Sequence, residues 1–370
     1  MALTAVPLST QLLGWDAVEL WVGNARAVAA FLSAGFGFHV TAYAGPETGC
    51  PDTASYVLEQ GRIRFVVTAA LVPDSPIAAH VREHGDGVRD VAFAVSDAAA
   101  AYERAVSHGA PGVEEPHEVK DAYGVLRLAT IATYGETRHT FVDRSSYAGV
   151  YRPGFEGEKL PPEPVLGPPT GLDVIDHVVG NVEQGSLERW VDFYRSVLGF
   201  ERLRHFDDSQ ISTEYSALMS TVVWDGSSIV LPLNEPAEGR RKSQIQEYLE
   251  TYRGPGVQHI ALRTENIVGA VSALRQRGVR FLEAPASYYE DARARLGHLD
   301  LPWDDVARLG ILVDEEPDGW LLQVFTETLT DRPTLFLEII QRGGAKGFGA
   351  GNFQALFQAF EREQARRGHL

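Results

Sequence analysis

At 370 residues, 44% hydrophobic and 22% charged, the chain has the composition of a soluble globular protein with core enough for about two domains, which excludes a disordered or fibrous chain. Its 33 Lys+Arg against 50 Asp+Glu leave a net charge of −17, which argues against a nucleic-acid partner, because phosphate binding needs a basic surface. The single cysteine, Cys50, excludes an intrachain disulfide; the opening MALTAVPLSTQLLGW has neither a basic start nor a continuous apolar core, and no stretch reaches membrane-spanning length, so no membrane partner and a cytoplasmic address are expected.

In chain order, residues 16–43 read as an apolar strand, a Gly-Asn turn, an amphipathic helix and a Gly-Phe stop before a further strand. Strands follow at 54–59 and 62–69. Residues 85–116 then read turn, strand, helix, Gly stop and strand, with more strands at 126–133 and 138–143. From 147 to 172 the pattern dissolves into prolines and glycines, a composition that neither pairs as a strand nor continues a helix. This linker separates a first domain, 1–146, from a second, 173–370.

The second domain repeats the first. Residues 176–204 repeat the grammar of 16–43, and 254–285 align with 85–116 without a gap. Strands are predicted at 214–223, 228–233, 311–313, 320–326 and 334–341. A strand, a helix and then consecutive strands, four times over, predicts an α+β fold of paired βαβββ modules in curved, mainly antiparallel sheets. Strict alternation of strands and helices, as in a dinucleotide-binding fold, is absent, as is a glycine-rich phosphate loop.

Three polar residues stand out within apolar runs. His177 lies in DVIDHVVGN, where alternation places it with Ile175 and Val179; His259 lies in GVQHIAL with Val257 and Ala261; Glu338 lies in TLFLEIIQR with Phe336 and Ile340. A lone strand histidine is more often a satisfied core residue than a ligand, whereas a glutamate on an apolar face is costly without a reason. Two imidazoles and one carboxylate form the ligand set of a non-haem iron(II) site with open positions. The repeat supplies a control: Asp90 aligns with His259, Thr140 with Glu338, and Ala17 or Leu20 with His177, so only the second domain is expected to bind metal.

The motifs YSALMS (215–220), LPLNEP (231–236), RKSQIQEYL (241–249), GPGVQHIAL (254–262), LLQVFT (321–326), DRPTLFLEIIQR (331–342) and GFGAGNF (347–353) closely resemble those of the 4-hydroxyphenylpyruvate dioxygenase family, in the vicinal oxygen chelate superfamily, over essentially the whole chain. The resemblance implies Fe(II) held by His177, His259 and Glu338, with Gln244 and Gln258 beside the reacting centre. It implies a substrate pocket of Ser216, Pro232, Asn234, Gln323, Phe325, Phe336, Phe348, Asn352, Phe353 and Phe357. It also implies conversion of 4-hydroxyphenylpyruvate and O2 to homogentisate and CO2 in tyrosine and phenylalanine catabolism, by a homodimer or homotetramer.

The C-terminal segment, with Phe353, Leu356, Phe357 and Phe360 at helical spacing behind Asn352 and three glycines, is expected to form a helix that acts as a lid over the iron site. The first half's spare apolar face is the expected subunit interface. The nearest alternative is 4-hydroxymandelate synthase, which shares substrate and iron; as that resemblance is understood, it departs at the Pro-x-Asn segment and the lid phenylalanine, where Pro232, Asn234 and Phe353 match the dioxygenases. An extradiol dioxygenase would want a histidine base that no motif supplies, and a metal-free binding protein conflicts with three intact ligands.

Overall fold

The computed structural model describes residues 11–157, 168–206, 217–237, 242–352 and, in the C-terminal helix, 355, 359, 361, 362 and 365. The first half contains β1 (Leu12–Trp21), α1 (Ala25–Phe36), β2 (His39–Ala44), β3 (Thr53–Gln60), β4 (Ile63–Ala70), α2 (Pro76–His84), β5 (Gly87–Val95), α3 (Ala98–Ser107), β6 (Gly112–Asp121), β7 (Gly124–Ala132) and β8 (Arg138–Tyr147). Its eight strands form one sheet in the order β2-β3-β4-β1-β5-β8-β7-β6.

The second half contains β9 (Leu172–Asn181), α4 (Leu187–Leu198), β10 (Glu201–Phe206), β11 (Ala217–Trp224), β12 (Val230–Ala237), α5 (Gln244–Tyr252), β13 (Gly256–Thr264), α6 (Ile267–Gln276), α7 (Ala286–Leu296), α8 (Trp303–Leu309), β14 (Leu312–Glu316), β15 (Gly319–Phe325) and β16 (Phe336–Gly343). The sheet order repeats strand for strand, β10-β11-β12-β9-β13-β16-β15-β14. Neighbours pair antiparallel except β1 with β4, β5 with β8, β9 with β12 and β13 with β16, so each sheet is mixed and mainly antiparallel.

Local chemistry sets the boundaries. The Asn24 side chain accepts from Ala27 N to open α1, and Gly37 and Gly199 close α1 and α4 in the left-handed region, at φ 79° and 73°. These are the Gly-Phe stops legible in the sequence. One difference concerns the strand expected after α6. Only an isolated bridge, Phe281 to Thr326, forms there, because Pro285 removes a ladder donor and turns the chain into α7. The sheet position filled by β6 in the first half is filled in the second by β14, after α7 and α8.

The two halves share a core in which Phe36, Phe65 and Phe93 join Tyr194, Leu233, Ile260 and Ile339, and in the second half α5 and the C-terminal helix pack on the other face of the sheet. Each such side chain contributes roughly 1.5–3 kcal/mol on burial. The halves also bond through polar groups: the Tyr194 hydroxyl lies 2.8 Å from His139 Nε2, and Arg62 pairs with Asp173 at 2.6 Å. Part of the opposite face of the first sheet is covered from within the chain: Tyr151 and Phe155, from the segment following β8, pack onto Ala17, Ala42, Ala44, Val57 and Val66, while Ala92, Leu126, Leu128 and Val142 form a separate apolar cluster.

Candidate active site

The three ligand candidates sit on three consecutive strands, β9, β13 and β16, and converge. Ala261 of β13 is in register with His177 on one side and Glu338 on the other, so its methyl group leaves room between the two longer side chains. His177 Nε2 is 3.2 Å and His259 Nε2 3.3 Å from the same Glu338 oxygen, Oε2. All three residues are buried.

Two β-bulges aim the imidazoles. Between Leu262 and Ala261 the partner strand advances from Ile175 to His177, leaving Asp176 as an extra residue; between Val179 and Gly180 the chain opposite advances from His259 to Val257, leaving Gln258 extra. Asp176 Oδ1 is 2.9 Å from His177 Nδ1, and Gln258 Oε1 is 2.8 Å from His259 Nδ1. With Nδ1–H donating in both rings, each Nε2 lone pair points at the centre. The bulges also correct the expected face partners: Ile175 and Val257 pack in the main core with Val178 and Ile260, away from the histidines they were expected to accompany.

Charge balance follows from this packing. Burial would raise the Glu338 carboxyl, but the facing His177 imidazole outweighs it and holds the group at about 2. Burial would lower His177, yet Glu338 and Asp176 lift it to about 9; His259, buried with less compensation, is lowered. Burial works against the Asp176 carboxylate too, but His177 and the two-point contact with Arg342 (2.9 and 2.7 Å) keep it well below the usual range. Two imidazole nitrogens and a carboxylate oxygen thus meet where positive charge, a proton on His177 or a cation, is strongly favoured, and among the described residues this is one of two such metal-type groups.

Aromatic rings wall the centre. Phe336 stacks on His259 with ring centroids 4.7 Å apart, Phe325 meets the same ring edge-on at 6.1 Å, and Phe348 lies edge-on to His177 at 5.1 Å. Pro232 and Asn234 share the face of β12 opposite to Leu231 and Leu233, which enter the main core. Asn234 is in register with Ser220 and with Asn181, whose buried side-chain amide has no hydrogen-bond partner at either atom among the described residues. Gln323 is likewise buried with an unpartnered Oε1, in register with Ile340.

Asn352, fully buried in a 3-10 turn, accepts from the Tyr288 hydroxyl at 2.6 Å. Ala355 and Ala359 of the C-terminal helix pack with Phe325 and Phe336, which puts that helix beside the centre. Gln244 opens α5, half buried, next to Ile245, whose cluster also takes Phe348; no contact brings it to the histidines. Ser216, Phe353 and Phe357, with the Leu356 and Phe360 of the expected lid, lie outside the described residues.

Residues 27–156 match the family described as hydroxyphenylpyruvate dioxygenase, N-terminal, and residues 174–324 match the glyoxalase/bleomycin resistance protein/dioxygenase superfamily. A 4-hydroxyphenylpyruvate dioxygenase of Dictyostelium discoideum is 50% identical over 96% of this chain and 100% of its own length. One from Yarrowia lipolytica is 45% identical, covering 96% and 93%. The chain belongs to the 4-hydroxyphenylpyruvate dioxygenase family. Among solved structures, a triple mutant of 4-hydroxymandelate synthase from Streptomyces coelicolor superposes with a TM-score of 0.85 at 34% identity, covering 96% of this chain and 99% of that one.

For a member of this family the donor set fits a metal cofactor, and the first half shows what the scaffold is without one. Asp16 and Arg144 form the same two-point ion pair as Asp176 and Arg342, at 2.5 and 2.8 Å, and Asp16 is again the extra residue of a bulge. That match puts Ala17, and not Leu20, opposite His177. Asp90 and Thr140, in the other two ligand positions, satisfy one another: Asp90 accepts from Thr140 N at 3.1 Å and from its hydroxyl, and burial pushes its carboxyl up to about 6. Sequence reasoning missed Asp176, Arg342, Asn181 and Ser220. The signal for the first two was present: an acid beside His177 and a cation four residues beyond Glu338, repeated at 16 and 144.

Proposed function

We propose that the chain is a 4-hydroxyphenylpyruvate dioxygenase, converting 4-hydroxyphenylpyruvate and O2 to homogentisate and CO2 with Fe(II) held by His177, His259 and Glu338. The observation that carries this reading is the convergence of both Nε2 atoms on one carboxylate oxygen inside an aromatic wall. Bound there, Fe(II) supplies open positions for the keto acid and for dioxygen, and Lewis acidity toward both. With one carboxylate and two neutral imidazoles as ligands, the centre keeps one net positive charge. An anionic α-keto acid is therefore matched locally, without an arginine and against the overall charge of −17.

The chain's own residues orient and shield. Asp176 and Gln258 each hold an Nδ1–H, so neither imidazole can turn its lone pair away. Phe325, Phe336 and Phe348 keep water from the reacting centre and offer faces and edges to the substrate ring. Asn234, with Asn181 and Ser220 at its level, and Gln323 are the polar groups placed to receive the phenol; Gln244, Ser216, Pro232, Asn352, Phe353 and Phe357 complete the proposed pocket. The division into a domain without the iron ligands, 1–146, and an iron-binding one, 173–370, belongs to the same proposal. So does assembly as a homodimer or homotetramer, which sedimentation equilibrium checks.

Incubation with Fe(II), O2 and 4-hydroxyphenylpyruvate followed by proton NMR tests the reading. Homogentisate gives three ring protons of a trisubstituted ring and a CH2 signal. A symmetrical para pattern with a CH signal would instead identify 4-hydroxymandelate, an isomer that mass alone does not separate. Among the described residues no helix is long and apolar enough to cross a membrane.

A further inference from the structure

A second group of metal-type donors lies at the seam between the halves. His80 and His84, four residues apart on α2, face Glu136 in the turn between β7 and β8, and one donor atom of each lies within 4.8 Å of the others. His80 Nδ1 is 2.7 Å from Glu136 Oε2, and His84 Nε2 is 3.7 Å from Oε1. Both rings are buried, at 2% and 7% exposure, whereas Glu136 opens to solvent.

Protons alone account poorly for this arrangement. His84 Nδ1 lies 2.5 Å from the Tyr252 carbonyl oxygen, which can only accept, so Nδ1 carries the hydrogen and a neutral His84 turns a bare Nε2 lone pair toward a carboxylate oxygen. His80 meets the same difficulty. If Nδ1 carries its proton, Nε2 is a buried lone pair with no partner; if Nε2 carries it, the Nδ1 lone pair faces Glu136.

We propose that His80, His84 and Glu136 bind a divalent transition-metal ion of the zinc type, with water completing the coordination from the solvent side. Histidines at i and i+4 on a helix with one carboxylate match the preferences of such an ion. Arg89 holds Glu136 Oε2 at 2.8 Å and the Glu136 carbonyl at 2.7 Å, which fixes the turn while Oε1 remains directed at His84. The metal would fix His84, which meets the second half directly: the Tyr252 ring is tilted against it at 4.6 Å, and three residues separate Tyr252 from β13, the strand of His259. Arg253 and Arg332 reach Glu83 across the same seam.

The test uses the full chain with Glu338→Ala, so that the candidate active site is disabled. After chelation, incubation with Zn2+ and gel filtration, this protein should retain about one equivalent of zinc, and zinc should raise its melting temperature. Adding Glu136→Gln, or independently His84→Gln, should abolish both retention and the thermal shift. Circular dichroism confirms that each variant is folded, and either one suffices if the other is not. No retained zinc in Glu338→Ala, or zinc retained unchanged after either seam substitution, would overturn the proposal without touching the reading of the active site.

Discussion

Asp176→Ala and Asp16→Ala form a matched pair of perturbations. Each removes a buried carboxylate, 6% and 3% exposed, from a two-point contact with an arginine, but only Asp176 also holds an imidazole. Breaking a buried pair from one side costs about 3–5 kcal/mol, because the arginine is left uncompensated. In a domain of this size that lowers the melting temperature by on the order of 10 °C, in either half. Freeing the Nδ1 of a metal-bound histidine costs a further ~10- to 100-fold in metal affinity, and this applies to Asp176 alone. Calorimetry on the metal-free proteins and anaerobic Fe(II) titration separate the two effects. Asp16→Ala should lose stability with unchanged iron affinity, and Asp176→Ala should lose both. Equal loss of iron affinity in both variants would refute the argument that Asp176 acts on the metal through His177.

Glu338→Ala should remain folded while losing Fe(II) and turnover; undiminished iron in an anaerobic titration would remove Glu338 from the ligand set. A chain ending after Gly349 lacks Asn352 and the helix that packs on Phe325 and Phe336, so it should bind iron yet consume O2 without matching homogentisate formation. Full coupling in that truncation would exclude a lid. His139 gives a pH prediction: burial drops its imidazole from 6.5 to about 4, so the neutral ring's contribution is intact above pH 6.5 and is lost as pH falls toward 4. The full loss is worth about 3 kcal/mol. In His139→Gln, urea unfolding should show a shallower fall in stability between those pH values, and an unchanged slope would contradict the assignment.

The ligand candidates were legible because each is the one polar residue among the alternate positions of an apolar strand, a signal that needs only a period of two. Their immediate surroundings were not. Counting by two places Asp176 on the face opposite His177, and Gln258 opposite His259; in the fold a single extra residue at each point brings both pairs together. A bulge is a property of two strands in register, and one strand's sequence does not display it. The same holds for Asn181 and Ser220, which become site residues only when β9 and β11 are seen to flank Asn234. The strand at 311–313 was legible and is β14; the detour through α7 and α8, by which β14 takes the sheet position expected for a strand directly after α6, was not.

The internal repeat carries that reasoning one step further. The bulge residues recur in the first half as Asp16 and Arg89, and the Asp–Arg pair recurs with them, so these features belong to the scaffold and do not depend on the three ligand candidates. What separates the halves at the centre is three side chains: Ala17, Asp90 and Thr140 against His177, His259 and Glu338. Asp90 and Thr140 satisfy each other by hydrogen bonds and need no ion. The imidazoles, held at Nδ1 by Asp176 and Gln258, turn Nε2 toward one oxygen of Glu338, and the three converge on a point where a cation is favoured. At this level the first half pairs its polar groups with each other, whereas the second brings together the donor set proposed for the ion.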